Sequence, residues 1–211
     1  MERADLLEEC RGYIDRHCIF RSPNSSQLLV SKDGGLNAWQ FYLPVATLNQ
    51  GFALTISHLF WDEFRERFER QPFQLCGCEA GGVWLVSQLM LSAHAAGFFV
   101  NAFMAKKEAK SYGLKNWLEG VALPDLPVLL VDDVVASGKT LTTHADRLAS
   151  FGLKLYPQAF AIVACKQRPP IEIKSQGISV KVLFEPDDFC FTEKAYFDKY
   201  GKPSEFLGSR A

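Results

Sequence analysis

Asp132 and Asp133 stand side by side at the end of an apolar run, Pro127-Val-Leu-Leu-Val, and lead into Val-Val-Ala-Ser137-Gly138-Lys139-Thr140. Two consecutive acids at the end of a hydrophobic strand are costly to bury without partners, so they are expected to face solvent, a cation or sugar hydroxyls. The small-residue loop after them opens into a helix. Backbone N–H groups at such a helix start, together with the positive end of its dipole, hold anions and phosphate in particular. Carboxylates for sugar hydroxyls beside amides for a phosphate make a cradle suited to ribose 5-phosphate. The alternative, that the two acids merely cap the next helix, fits their spacing poorly.

A second cluster is cationic. Lys106, Lys107 and Lys110 fall within five positions between two apolar segments, where they can supply positive charge to a leaving group as it turns negative. Gly113 and the polar run to Asn116 suit a mobile lid. On charge alone, a solvated lysine-rich loop explains them as well. The remaining reactive residues are dispersed. Cys10, Cys18, Cys76, Cys78, Cys165 and Cys190 include only one close pair, Cys76-Gly-Cys78, with no partner pair at zinc spacing, and read as reduced thiols. His17, His58, His94 and His144 are isolated and suggest no site.

These groups need a scaffold. Residues 1–17 and 51–70 read as amphipathic helices, the second with Phe52, Ile56, Leu59, Phe60, Phe64 and Phe68 on one face. Between them, residues 27–31 and 38–43 read as a hairpin turning at Lys32-Asp33-Gly34-Gly35. From Phe73 the pattern alternates: strand 73–78, helix 82–96, strands 98–104 and 127–132, helix 139–150, and strands 155–165 and 178–184. Apolar strands alternating with helices predict an α/β, Rossmann-like open sheet, mainly parallel, with helices on both faces. Ligands of such sheets collect outside the carboxyl ends of the strands, which points to the loops at 78–82, 105–120 and 132–139.

The 211 residues, 48% of them hydrophobic, suit one domain, and 23 basic against 24 acidic residues argue against disorder and against a nucleic-acid binder held by bulk charge. There is no repeat or low-complexity tract. No apolar run reaches the length of a membrane span, and the acidic start is unlike a signal peptide, so a cytoplasmic protein is expected.

The segment 127–140 resembles the phosphoribosyl pyrophosphate (PRPP) signature of type I phosphoribosyltransferases. Lys106-Lys-Glu-Ala-Lys110-Ser-Tyr-Gly113 looks like the catalytic loop of the orotate members, commonly Arg-Lys-Glu-x-Lys-x-His-Gly, and Leu118-Glu119-Gly120 fits after it. Leu75-Cys-Gly-Cys-Glu-Ala80-Gly81-Gly82-Val83 resembles the family's first phosphate loop, and Leu29-Val-Ser-Lys32-Asp-Gly-Gly35 its Leu-Lys-Ser-Gly hairpin. Four matches in the family's order favour the catalytic reading of the lysine loop.

The resemblance implies a single domain over 1–211. Residues 1–72 would form part of a hood, 73–184 the PRPP-binding core and 185–211 a C-terminal cap. It implies transfer of phosphoribosyl from PRPP to a base, most plausibly orotate, with Mg²⁺ held mainly through PRPP and without a direct protein ligand. Asp132 and Asp133 would hold the ribose hydroxyls, directly or through the metal's shell. Val135, Ala136, Ser137, Gly138, Lys139 and Thr140 would take the 5-phosphate, and Lys32, Ala80 and Gly81 would line the pyrophosphate site. Lys106, Lys107 and Lys110 would close over the leaving group, in the family often from the neighbouring subunit of a homodimer. Catalysis would rest on Lys107, Lys110, Asp132 and Asp133.

The chain departs from the family where Ala136 and Lys139 replace threonines and where Lys106 and Tyr112 replace Arg and His. An Asp-Arg pair that reads orotate is also missing after the next strand, where Lys166 or Arg168 could face an anionic base. Another base, or a non-catalytic PRPP- or nucleotide-binding regulator, are the alternatives. The aromatic C-terminal stretch, with Phe189, Phe191, Tyr196, Phe197 and Tyr200, reads either as rings over a planar base or as core or interface.

Overall fold

The computed structural model describes residues 2–22, 29–30, 36–107, 117–165 and 170–200. Helix α1 (Arg3–His17) is followed by four short strands, β1 (Ile19–Arg21), β2 (Leu29–Val30), β3 (Leu36–Asn37) and β4 (Trp39–Phe41). A single-turn helix α2 (Pro44–Thr47) leads to the long α3 (Gln50–Arg70). The Asn49 side chain caps α3 by accepting from the Phe52 N–H at 3.1 Å. Every 3.6-period apolar residue expected on its inner face from Phe52 to Phe64 is buried.

The rest of the chain alternates strand and helix: β5 (Gln74–Cys78), α4 (Glu79–Ala95), β6 (Ala102–Ala105), β7 (Leu118–Gly120), β8 (Val128–Val135), α5 (Lys139–Ser150), β9 (Gln158–Ala164), β10 (Ile171–Ile173) and β11 (Ile178–Phe184). A 3₁₀ turn (Pro186–Asp188) and α6 (Glu193–Tyr200) close the described chain. The sheet runs β10-β11-β9-β8-β5-β6-β7. The inner strands pair in parallel, and β10 and β7 join antiparallel at the two edges. Helices α1 to α4 cover one face through a core rich in phenylalanine, including Phe60, Phe64, Phe73 and Phe160. Leu141, Ala145 and Leu148 of α5 pack on the other.

This topology selects one place for chemistry. The chain leaves β5 through α4 towards β6, but leaves β8 through α5 in the opposite direction, towards β9. The crossovers diverge between β5 and β8, so a crevice opens at their adjacent carboxyl ends, where Cys78 and Asp132 to Ala136 lie.

Several local expectations need correction. Trp39–Phe41 does not pair across the Asp-Gly turn. It pairs with Ile19–Arg21, while Leu29–Val30 pairs with Leu36–Asn37. Ala38 bends the chain between β3 and β4, which divides the expected single arm in two. Helix α4 begins at Glu79 rather than 82, so its Ala-Gly-Gly is the first helical turn. Strand β8 runs to Val135 because β9 continues to pair with it, Asp132 opposite Ala161 and Val135 opposite Ala164. The edge strands β7 and β10 had no periodicity long enough to announce them.

The N-terminal strands are tied to the C-terminal segment by a buried ion pair. Asp15 accepts from Arg21 at 2.5 Å, from the Cys190 N–H at 3.1 Å and from the Tyr200 hydroxyl at 3.0 Å. Burial lowers the Arg21 pKa, and the Asp15 charge opposes that shift. The aromatic C-terminal stretch is chiefly core: Phe189 is buried against Phe41, and Phe191 stacks on Trp39 with centroids 4.0 Å apart. Tyr200→Phe removes the hydrogen bond donated to Asp15 and the longer one accepted from Arg11, and is expected to cost about 1.5 kcal/mol, read as a lower denaturant midpoint at unchanged m-value.

Candidate active site

The crevice is built from two loops that each end a parallel strand and open a helix. At the first, the chain turns from β5 into α4 through Glu79 at φ 59°, the one non-glycine residue with positive φ among those described. The glycines around it permit contact between α4 and β8. A Cβ on Gly81 would lie well under 3.0 Å from the Asp133 carboxylate, and one on Gly82 would meet the Val131 carbonyl oxygen as closely. The start of α4 is thereby pressed against Asp133 and the backbone of β8 and β5.

The acids are more enclosed than expected. Asp132 is only 7% exposed, inside β8 rather than beyond it. Its Oδ1 accepts from the Asp133 N–H at 3.0 Å, and Asp133 Oδ1 accepts from the Val134 N–H at 2.8 Å. Burial pushes both carboxyls above the ordinary range, and for Asp132 the neighbouring Asp133 charge adds to the effect. Of the expected surroundings, solvent does not hold for Asp132, because β8 extends far enough to bring it under the loops, while Asp133 remains partly exposed. A carboxylate pair held this way gains from hydroxyl donors or a hydrated cation in the crevice.

The second loop follows β8. Gly138 adopts φ 72°, the left-handed region, and α5 starts at Lys139 without a side-chain cap from its N-cap residue. The Lys139 N–H has only a long, 3.4 Å contact to Ser137 Oγ. The first-turn amides are therefore available to an anion. Ala136, Ser137, Lys139 and Thr140 line a cavity of about 540 Å³. Val135 is the exception in the expected set: its side chain is in the core beneath α5, because it is the last residue of β8.

Across the cavity stand Trp39 and Phe41 of β4, with Asn37 and Gln40 beside them. Lys107 also lines it, and its carbonyl accepts from Arg147 at 3.3 Å. Lys106 is placed differently: its ammonium is bound to Glu119 of β7 at 2.7 Å, across the antiparallel pair that flanks the loop. Lys32, Lys110, Lys166 and Arg168 lie outside the described residues. Ala80 and Gly81 form the first turn of α4 facing Asp133.

The sequence reading passed over four wall residues. Glu79 and His144 approach each other, Oε1 to Nε2, at 3.4 Å. They are 65 residues apart in sequence, and an isolated histidine carries no motif. Trp39 and Phe41 were legible only as strand residues, although their alternation in β4 does place both on one side. The six cysteines form no disulfide, and burial pushes Cys10 and Cys18 up to about 12, which makes them poor nucleophiles at neutral pH. Among the described residues no three or more His, Cys, Asp or Glu side chains gather as a metal cage, and no helix is long and apolar enough to cross a membrane.

A doubly wound sheet with two helix-opening loops and paired acids at its switch point defines a class. Residues 46–193 match the phosphoribosyl transferase domain family, and the chain belongs to it. The chain is 28% identical to the orotate phosphoribosyltransferase of Synechocystis sp. over 145 residues, 68% of this chain and 71% of that protein. Its fold is shared with Mycobacterium tuberculosis orotate phosphoribosyltransferase in complex with PRPP, at TM-score 0.59 and 20% identity over 89% of this chain and 91% of that one. It is shared equally with adenine phosphoribosyl transferase from Trypanosoma brucei, at TM-score 0.63 and 16% identity over 98% and 87%. The protein is a phosphoribosyltransferase by family, and these relatives differ in the base their names carry.

Proposed function

We propose that the protein transfers the 5-phosphoribosyl group of PRPP to orotate, forming orotidine 5′-monophosphate and releasing pyrophosphate. The observation that carries this reading is that the start of α5 and Glu79 at the start of α4 line one cavity at the β5–β8 switch point, with Asp132 and Asp133 in the adjoining end of β8, an arrangement that suits a ligand with an anionic group at each end and hydroxyls between. The α5 start, Ala136 to Thr140, holds the 5-phosphate. Asp132 and Asp133 hold the ribose hydroxyls. Ala80 and Gly81, with Lys107 and the sequence-assigned Lys32 and Lys110, hold the pyrophosphate.

In the transfer, a base nitrogen forms a bond to C1 as the C1–O bond breaks, pyrophosphate departs with the electron pair, and the proton of the base N–H is released to solvent or to the pyrophosphate. The protein's part is alignment, charge compensation and exclusion of water. Mg²⁺ would neutralise part of the diphosphate charge. Asp132 and Asp133 would be the residues to hold its water shell, and no all-protein cage would be needed. Lys106, paired with Glu119 in the ligand-free chain, is assigned with Lys107 and Lys110 to the leaving group.

Trp39 and Phe41 offer the base an aromatic wall, and Lys166 and Arg168 are the sequence's candidates for the carboxylate of orotate. Trp39→Ala is expected to raise the base KM about tenfold and leave the PRPP KM within about twofold, measured in steady state. A second copy of the chain is the proposed partner. Helix α4 is apolar on all sides and leaves Trp84 and Leu91, seven residues apart on one face, exposed.

The deciding experiment is pyrophosphate release from PRPP and Mg²⁺ with a panel of bases, with mass analysis of the nucleotide. Release with orotate alone supports the proposal, and release with adenine or another base replaces the acceptor. PRPP binding without release from any base would make the protein a regulator.

A further inference from the structure

The transfer reaction leaves Glu79 and His144 without work, yet both stand in the cavity wall. Glu79 opens α4, and His144 lies in the second turn of α5, so the pair spans the two helices whose starts hold the phosphates. His144 is 2% exposed, with Nε2 3.4 Å from Glu79 Oε1 and with Nδ1 buried and without a hydrogen-bond partner among the described residues. Glu79 holds φ 59°, a conformation that glycine adopts freely and a residue with a side chain does not. Backbone strain at a ligand cavity, on a residue whose side chain meets a buried imidazole from the other loop, points to work for that side chain.

We propose that Glu79 and His144 are a positioning pair that braces the two phosphate loops against each other and sets their spacing for a doubly anionic donor. The inference rests on the phosphoribosyl-donor reading above and adds a coupling between its two anion sites. Burial, opposed by the Glu79 charge, holds the imidazole below its ordinary pKa, so at neutral pH it is uncharged. With its proton on Nε2 it donates to Glu79, and the carboxylate beside a polyanion then has a donor to answer it. The 3.4 Å separation is long for a hydrogen bond, as site contacts often are before the ligand draws the loops together. A brace of this kind couples the sites: filling one sets the geometry of the other.

The test is calorimetry of the full chain with PRPP and Mg²⁺, and with ribose 5-phosphate alone, alongside thermal melts. Glu79→Gly relieves the positive φ and removes the brace. It is expected to melt at or above the wild-type temperature, to bind PRPP about tenfold more weakly and to bind ribose 5-phosphate within about twofold of wild type. Glu79→Gln keeps an acceptor for Nε2–H and recovers most of the PRPP affinity. Unchanged PRPP affinity in Glu79→Gly overturns the brace. So does a parallel loss of melting temperature and of both ligands, which would mark ordinary structural damage. A wild-type protein that binds no PRPP overturns the donor reading itself, and the brace with it.

Discussion

Asp132→Asn is expected to lower kcat/KM for PRPP about a thousandfold while raising the melting temperature of the ligand-free protein by about 3 °C. Both effects follow from the same burial. Asp132 is 7% exposed with Asp133 beside it, so its charged form is disfavoured and its pKa is raised. The native state then binds protons that the unfolded chain has released. Stability from this group is present below the ordinary carboxyl pKa and is lost as pH rises through the raised native value, so ionisation of this carboxyl is a burden on the ligand-free fold. Asparagine has nearly the same shape and keeps an acceptor for the Asp133 N–H, which now bonds Asp132 Oδ1 at 3.0 Å. Under the proposed transfer, it could not supply the negative charge assigned to Asp132 at the ribose hydroxyls. Melts from acid to neutral pH should show a shallower decline in the variant. A normal kcat/KM, or a lower melting temperature, would remove Asp132 from the assigned role.

The second large effect is steric. Gly82→Ala places a Cβ well under 3.0 Å from the Val131 carbonyl oxygen and 2.9 Å from the Gly77 carbonyl carbon, both main-chain atoms of the central strands. No side-chain rotation relieves either contact. The expected cost is about 3 kcal/mol, or a melting temperature lower by about 9 °C, despite the gain in helix propensity. Gly81→Ala is the informative contrast. The obstructing group there is the Asp133 carboxylate, which can swing aside, so that variant is expected to fold and to lose activity. If both variants melted like wild type, α4 could not be pressed against β8 as described.

Much of the architecture was legible because period and burial agree. The phenylalanine stripe of α3 and the apolar β8 can satisfy themselves in only one way, and both form as their patterns require. Expectations failed where partners are remote. The pairing of Trp39–Phe41 with Ile19–Arg21 is accompanied by remote contacts: Arg21 donates to Asp15 and to the Cys190 carbonyl, and Asp15 in turn accepts from the Cys190 N–H and the Tyr200 hydroxyl. Lys106 looked like its neighbours in a cationic loop until the antiparallel β7 brought Glu119 to it.

The sequence by itself determined the doubly wound core, the two small-residue loops and the adjacent acids, because these follow from local periodicity and from backbone conformations that only certain residues adopt. Tertiary structure alone decided that Asp132 is buried, that Val135 points into the core and that Trp39 and Phe41 line one cavity with the β8–α5 loop. It alone joined Glu79 to His144. Those properties belong to neither residue's neighbourhood in the chain: they arise where crossovers of opposite direction leave two strand ends side by side, and burial there alters the charge each group can carry.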